Sequence, residues 1–485
     1  MERDIFGRLL AIAINQKVDI GHCLSFPLAP VPPALFHCSG DMMKTDKSAL
    51  SKQLTAKIAP TNPGQVDIEI IDGFYYLYLI GSTLPQTFGK IAESILIKLC
   101  SKNAPVVHII FDRYLTPSIK DCERENREGI DIPYTINGPL QTRPNDFQKS
   151  LKNFRFKEAL VKFLANHWAD HSFAAVLGNK KIYITVEEKC FSYCSAGNVV
   201  VKTEETELSC SHEEADTRIV FHISKVPENL KILVKAADTD VLIILLGNIH
   251  KFPNLQIWLA NIYINCTDLS IKLGPTLCLA LPAFHAFTGC DYTAAFFSKG
   301  KVRPFNVFIK HPQIQQVFAS LQNPYDIYNE TKIDAVQHFT CLMYGLPKCQ
   351  SVNAARLLLF NKMYASKENS EKFMKRIQGF DSTHIPPCWK SLKQKLLRTI
   401  FVNLMWLNAT ESDCIKFSAE NNGWLLFDGF LKPTWFLGDS TPAQVESVLC
   451  DSTNKPSDNN DDTDICDESD SCDDSVTESS DDSDF

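Results

Sequence analysis

The sequence lacks an apolar run of the roughly 18 to 20 residues that a membrane-spanning helix needs. Its apolar stretches are short, as at Val241–Leu246. The stretch Leu9–Ile14 is preceded by Glu2 and Asp4 and has no small-residue cleavage site after it, which is typical of an amphipathic helix and not of a signal peptide. We therefore expect a soluble protein that spans no membrane and is not secreted, with the nucleus favoured over the cytoplasm.

The chain also lacks an ordered cysteine framework. Its 17 cysteines are scattered, odd in number and often placed inside apolar runs, as at Cys100 and Cys278, so reduced thiols are expected. One tighter group has a spacing that can ligate zinc: Cys190, Cys194, Cys210 and His212. Its CxxxC pair is not repeated elsewhere, so ordinary thiols are the favoured interpretation and zinc stays undecided.

The net charge of −8 is unevenly distributed along the chain. Residues 451–485 hold twelve Asp, two Glu and one Lys, a net charge of −13, which leaves +5 for residues 1–450. This tail has almost no apolar content and is expected to be disordered. The mildly basic body is compatible with a polyanionic ligand.

Composition divides the chain into four zones. Residues 1–65 contain the Pro-rich segment 26–33 and are expected to wrap the next domain, residues 66–310 alternate strand-like and helical patterns, residues 311–440 are helical, and residues 451–485 form the tail. The clearest predicted elements are strands 66–71, 106–111 and 231–237 and helices 87–100, 154–168 and 391–407. This alternation predicts an α/β fold with a mostly parallel sheet flanked by helices.

Acidic residues stand where the predicted strands end or where the adjoining helices begin. Seven are concerned: Asp72, Asp112, Glu214, Asp216, Asp238, Asp240 and Asp291. Taken singly, each is more often a helix cap or a turn residue. Open α/β sheets bind ligands at the carboxyl ends of their strands, so together the seven acids are candidates for one site.

Several carboxylates buried together raise one another's pKa and resist joint ionisation, a penalty that divalent cations remove. Oxygen ligands suit hard cations such as Mg²⁺, and two such ions about 4 Å apart can activate water and stabilise the leaving oxygen in phosphodiester cleavage. The acidic series therefore predicts a divalent-metal site. His212 and His285 are expected to be structural, as single histidines usually are.

The ordered series resembles the acidic motifs of the flap-endonuclease/XPG family within the PIN-like superfamily. The matching residues are Ile71-Asp72-Gly73, Phe111-Asp112-Arg113, Glu214-Ala215-Asp216, Asp238-Thr239-Asp240 and Gly289-Cys290-Asp291-Tyr292. The chain also resembles a group of transposon-associated or domesticated animal proteins that share HEEADTR, ADTDV and LPAFHAFTGCDYTAAF. That second resemblance covers most of residues 5–440, whereas the nuclease motifs are short and cover roughly residues 66–310.

The resemblance implies a PIN-like, Rossmann-like nuclease domain in which the seven acids hold two Mg²⁺ or Mn²⁺ ions. It also implies that the segment after Asp112 is the family's basic helix, which touches the scissile phosphate. Lys120 is then the catalytic counterpart, followed by Arg124, while Arg127 contacts nucleic acid.

Two departures from the family pattern affect the site. The family's Glu-Ala-Glu motif ends here in Asp216, which shortens one ligand arm and keeps its charge. The Gly-x-Gly-Pro loop that grips duplex DNA is absent after Asp291, where the basic residues Lys299, Lys301 and Arg303 stand instead. These three are predicted phosphate contacts, and a solvated basic turn is an equally good interpretation.

Three functions compete on this evidence. The favoured one is a structure-sensitive nuclease that cuts branched or single-stranded DNA or RNA by two-metal hydrolysis. The second is a catalytically inactive scaffold of transposon origin that kept the fold. The third is a transposase with an RNase H-like acidic triad, which five ordered acidic motifs disfavour. The oligomeric state and the role of the tail are not determined by the sequence.

Overall fold

The computed structural model describes residues 18–121, 132–260, 263–365 and 381–445. Its main feature is an eight-stranded sheet in the order β5-β4-β3-β2-β1-β6-β7-β8. The strands are β1 (Ile68–Asp72), β2 (Val106–Ile110), β3 (Lys181–Val186), β4 (Lys189–Ala196), β5 (Val199–Glu204), β6 (Lys231–Lys235), β7 (Gln256–Leu259) and β8 (Ile264–Asn265). A separate antiparallel hairpin consists of β9 (Trp424–Phe427) and β10 (Phe430–Pro433).

The middle of the sheet is parallel and its edges are antiparallel. Strand β1 pairs in parallel with β2 on one side and β6 on the other, and the parallel pairing extends to β3 and β7. Strands β4 and β5 continue one edge as antiparallel neighbours, and β8 ends the other edge. The mostly parallel α/β sheet predicted from the sequence is confirmed. Because the chain moves outward from β1 first toward β3 and later toward β7, the strand order reverses between β1 and β6.

Helices cover both faces of the sheet. In chain order the helices are α1 (Ile20–Leu24), α2 (Ser48–Thr55), α3 (Gly73–Ile80), α4 (Phe88–Cys100), α5 (Phe147–Ser150), α6 (Phe154–His167), α7 (Ala174–Leu177), α8 (Ala215–Ser224), α9 (Thr239–Asn248), α10 (Cys266–Leu273), α11 (Pro275–Thr288), α12 (Val302–Phe308), α13 (Pro312–Ala319), α14 (Glu330–Met343), α15 (Val352–Ala365) and α16 (Trp389–Leu407). Helices α3, α4 and α6 pack on one face with residues of β1 to β4, whereas α8, α9, α11 and α16 pack on the other.

Apolar patterning explains which helix faces are buried. In α4 the residues Ile91, Ile95 and Leu99 recur at helical spacing and are fully buried, whereas Ile97 on the opposite side is half-exposed. In α9 every residue is buried, because the helix lies in the same core as α11 and α16. The apolar run Val241–Leu246 in this helix requires cover on all sides, which α11 and α16 help to supply.

One hydrophobic core joins three of the four zones. It includes Leu35 from the N-terminal zone, Ile70 from the sheet, and Phe401 from the C-terminal helices. The predicted boundary near residue 310 therefore does not separate two hydrophobic cores. The N-terminal zone lies against the segment after Asp291, since the Ala295 amide donates to the Met43 carbonyl at 2.7 Å.

Within the described ranges no single helix is long and apolar enough to cross a membrane, although α10 and α11 reach that length and hydropathy as a pair bent by 101°.

Candidate metal centre

Acidic residues lie at or just after the carboxyl ends of three neighbouring strands. Asp72 is the last residue of β1 and caps α3, where it accepts the Tyr75 amide at 3.1 Å. Asp112 follows β2 and accepts the Ala215 amide at 2.7 Å. Asp238 follows β6 and caps α9. Because β1, β2 and β6 are adjacent and parallel, these carboxylates meet at the position where the strand order reverses.

The other four acids reach the same edge from helix ends. Glu214 is the residue before α8 and Asp216 lies in its first turn, while Asp240 lies in the first turn of α9. Asp291 follows α11 after a turn at Gly289, whose φ is +111° and where a Cβ would stand 2.7 Å from the Cα of Ala295. This glycine lets the chain turn closely enough to bring Asp291 back to the edge.

The side chains converge as well as the backbones. One carboxylate oxygen each of Asp216, Asp238 and Asp240 lies within 4.8 Å of the other two, a spacing at which a single metal ion can bind all three. Asp291 is joined to Asp238 and Asp240 through the ammonium group of Lys47. Among the described residues this acidic triad is the one group of His, Cys, Asp or Glu that meets the spacing of a metal site.

Burial, and after it the crowding of like charge, raises the pKa of several of these acids. Burial and the neighbouring Asp112 carboxylate raise the pKa of Asp72 to about 7. Burial also raises the pKa of Glu214 to about 7, with the Lys120 ammonium opposing it. For Asp216, burial together with Asp238 and Asp240 holds the pKa well above its ordinary value. A divalent cation among these groups relieves the repulsion that raises their pKa values.

Lys120 lies in the site, as the resemblance implied. Its ammonium is 2.5 Å from Glu214 Oε2 and 3.9 Å from Asp291 Oδ2, and it lies 4.9 Å from the centre of the Tyr292 ring. The next residue, Asp121, accepts the Leu431 amide at 3.1 Å, which fixes the segment to β10. The predicted contacts Arg124 and Arg127 lie outside the described residues.

Lys47 is a site residue that sequence reasoning missed. Its ammonium is 3.0 Å from Asp238, 3.4 Å from Asp240 and 3.0 Å from Asp291. Burial lowers its pKa, but the surrounding carboxylates outweigh burial and raise it overall. Lys47 comes from the N-terminal zone, 191 residues before Asp238, and no strand-end pattern marks it.

The prediction that Lys301 contacts phosphate is wrong. Its side chain is buried, with 1% of the residue exposed, and its ammonium donates to His285 Nδ1 at 3.0 Å, Thr288 Oγ1 at 2.9 Å and the Gly289 carbonyl. His285 in turn donates from Nε2 to Asp240 Oδ1 at 2.8 Å. The two residues therefore orient Asp240 from inside the protein, which agrees with the structural role expected for His285.

The other two predicted phosphate contacts lie at the surface. Arg303 is exposed and Lys299 is half-buried, and both line an open pocket with Lys310. This pocket shares Thr45 and Asp46 with a second open pocket, which is lined by Asp72, Asp238 and Lys47. A basic surface thus adjoins the acidic site.

The cysteine group considered for zinc does not form a metal site. Cys190 and Cys210 are buried, and the Nε2 atom of His212 is 2.7 Å from the Glu411 carbonyl. Within the described ranges, no group that includes these residues meets the metal-site spacing, and each cysteine there is free. Reduced thiols remain the interpretation that fits.

No protein-family model matches the chain, and no curated protein matches it. The resemblance to flap endonucleases therefore stays a prediction that rests on the motifs and their order.

Proposed function

We propose that the chain is a metal-dependent nuclease that hydrolyses phosphodiester bonds of DNA or RNA. The observation that carries the proposal is the convergence of seven acids, from segments spread between residues 72 and 291, at the reversal point of the sheet. Structural acids are usually paired one by one, whereas here carboxylates from several segments face one another. Such an arrangement is typical of a site that binds cations.

The ligand chemistry fits Mg²⁺ or Mn²⁺. All ligands on offer are carboxylate oxygens, which hard divalent cations prefer over nitrogen or sulfur. Asp216, Asp238 and Asp240 would hold the ion, with Asp72, Asp112, Glu214 and Asp291 around them. When bound, such an ion activates water and neutralises charge that develops on a phosphate.

Residues of the chain attract the substrate phosphate and orient a metal ligand. Lys120 places a positive charge beside Glu214 and Asp291, where it can attract a phosphate oxygen of the substrate. The buried pair His285 and Lys301 keeps Asp240 in one orientation.

The substrate class follows from charge. Arg303, Lys299 and Lys310 line the pocket that adjoins the acidic site, so a chain of phosphates can contact the basic residues while one phosphodiester lies beside the acids. A single-stranded or branched nucleic acid fits an open surface of this kind. DNA and RNA share the chemistry that these contacts recognise.

The test is cleavage by the purified full-length protein with Mn²⁺ or Mg²⁺, on branched and single-stranded substrates of both DNA and RNA. We expect cutting that requires the metal and that Asp240→Asn abolishes. Asp334→Asn is the matched control, because it makes the same change on the exposed face of α14. Metal-dependent cutting that Asp240→Asn leaves unaltered would contradict the assignment. Tight binding without turnover in any divalent metal would identify the inactive scaffold instead.

A further inference from the structure

The position of Lys47 distinguishes it from the other lysines of the described chain. Its ammonium contacts three carboxylates from two segments, at 3.0 Å from both oxygens of Asp238 and 3.4 Å from Asp240 Oδ2 at the start of α9, and 3.0 Å from Asp291 Oδ1 after α11. A surface ion pair usually joins one cation to one acid. A cation that bridges three acids takes the place that a bridging metal ion takes in a carboxylate cluster.

The backbone of Lys47 is fixed, so the contact is not an accident of a mobile side chain. Lys47 precedes α2, and the Asp46 carboxylate accepts the Ser48 amide at 2.8 Å and the Ser48 hydroxyl at 2.7 Å. Helix α2 is anchored by the fully buried Leu50 and Leu54. Its packing against α9 and α12 holds the ammonium at the mouth of the site.

Two of the acids are shared between two sets of contacts. Asp238 and Asp240 contact the Lys47 ammonium, which also contacts Asp291, and the same two acids form the triad of metal-binding spacing with Asp216. Lys120 approaches Asp291 as well and pairs with Glu214. The shared acids thus have an ammonium beside Asp291 and, beside Asp216, a position that suits a divalent ion.

We propose that Lys47 is a built-in cation that takes the second of the two cation positions, so that the protein binds one divalent ion and not two. The inference rests on the proposed function, because it assumes that the acids bind Mg²⁺ or Mn²⁺. It departs from the pair of ions that the family resemblance implied. An ammonium neutralises the acids near Asp291 but has no coordination site for water, so Lys47 acts as a positioning residue and the single ion carries the Lewis-acid chemistry.

The experiment counts bound Mn²⁺ by equilibrium dialysis of the full-length protein, with no substrate present. The wild type is expected to bind one ion in the site. Lys47→Met, which keeps the length of the side chain and removes its charge, is expected to bind two, with the first ion about tenfold tighter or more because a competing cation is gone. Lys47→Arg should bind one.

Two controls isolate the site from other binding. Lys52→Met removes an exposed lysine from the same helix and should leave the count at one. Asp216→Asn removes one ligand of the site and leaves the acidic tail unchanged. The Mn²⁺ that this variant still binds measures the weak binding by the tail, which holds twelve Asp and two Glu. This background is subtracted from the counts for the other proteins. In the two-ion variant, magnetic coupling between paired Mn²⁺ ions gives an electron paramagnetic resonance signal that a single ion lacks.

Failure of the role assigned to Lys47 and failure of the proposed function give different ion counts. Two ions in the wild type, or one ion in a folded Lys47→Met protein, would overturn the role of Lys47 and leave the nuclease proposal standing. No site-specific ion in either protein would overturn the proposed function itself. Should Lys47→Met fail to fold, Lys47→Gln provides the same count with a polar side chain.

Discussion

Two regions of this protein bury charge in opposite ways. At the carboxyl edge of the sheet, seven acids stand together, and burial with neighbouring carboxylates raises the pKa of Asp72, Glu214 and Asp216. Elsewhere, two buried cations, Arg356 and Lys395, donate to backbone carbonyls. Arg356 donates to the carbonyls of Leu24, Pro386 and Phe26, and Lys395 donates to the carbonyl of Ala294.

This difference distinguishes charged residues that stabilise the fold from charged residues that serve a function. Arg356 and Lys395 have their partners within the fold, so their role is complete without a ligand. The acids also have partners, among them the ammonium groups of Lys47 and Lys120, yet burial and neighbouring carboxylates still raise the pKa of Asp72, Glu214 and Asp216. A fold keeps like charges crowded in this way where a bound cation or a reaction uses them.

Loss of a structural cation should have the largest effect on stability. Arg356→Met leaves three carbonyls without this donor, two of them in buried hydrogen bonds, which should lower the free energy of unfolding by about 3 kcal/mol. Urea denaturation measures the change, and Arg303→Met at the exposed surface is the control. The number of bound Mn²⁺ ions should not change. A loss below about 1 kcal/mol would mean that the carbonyls find other partners.

Loss of an acid should instead raise the stability of the metal-free protein. Asp216→Asn removes a carboxylate whose burial is opposed by Asp238 and Asp240, so without metal the protein should gain about 1 to 2 kcal/mol in stability. The same variant should lose the stabilisation that Mn²⁺ gives the wild type. Denaturation in the presence of a chelator and with added Mn²⁺ measures both. A less stable metal-free variant would show that Asp216 is structural.

A buried pair of neutral histidines extends the comparison. His108 Nδ1 and His222 Nδ1 are 2.9 Å apart, and burial lowers the pKa of His108 to about 3 and that of His222 well below the ordinary 6.5. Both stay neutral in the folded protein, so below about pH 6.5 the unfolded chain binds more protons and stability falls as the pH falls.

Replacement of one histidine of this pair should weaken that pH dependence. His222→Gln removes one titrating group, so between pH 6 and pH 5 the loss of stability should be smaller than in the wild type by about 1 kcal/mol per pH unit. Urea denaturation at each pH gives the slope, and the difference at pH 8 gives the packing cost separately. Equal slopes in the two proteins would contradict the assigned pKa shift.

Loss of one basic residue at the surface should have the smallest effect, a modest drop in the affinity for nucleic acid. Arg303→Ala should weaken binding of single-stranded DNA a few-fold and reduce the slope of log affinity against log salt by about 1, because one phosphate contact is lost. Fluorescence anisotropy with an Asp240→Asn background, which prevents cutting, measures this. Lys301→Met should instead lower stability, since Lys301 is buried. An unchanged salt slope in Arg303→Ala would exclude this pocket from the binding path.

Local pattern was enough to predict the mostly parallel sheet and the placement of several acids at the ends of its strands. The predicted strand 106–111 is observed at Val106–Ile110, and the predicted helix 391–407 at Trp389–Leu407. Acids at the ends of parallel strands share an edge by geometry alone, so Asp72, Asp112 and Asp238 could be placed together before any coordinates were known.

Contacts between distant segments could not be predicted in this way. Lys47 reaches the acids through the packing of α2, which depends on a core shared with the sheet and the C-terminal helices. The prediction that Lys301 lies at the surface was wrong because a Lys-Gly-Lys sequence is typical of an exposed turn. In the fold, tertiary contacts bury the second lysine of this sequence behind His285. Sequence periodicity carries no information on either contact.

The most direct test of the metal site is anomalous scattering from crystals soaked in Mn²⁺. We predict an ion at roughly 2.0 to 2.3 Å from carboxylate oxygens of Asp216, Asp238 and Asp240. A structure with these three side chains in place and no ion between them at millimolar Mn²⁺ would contradict the account.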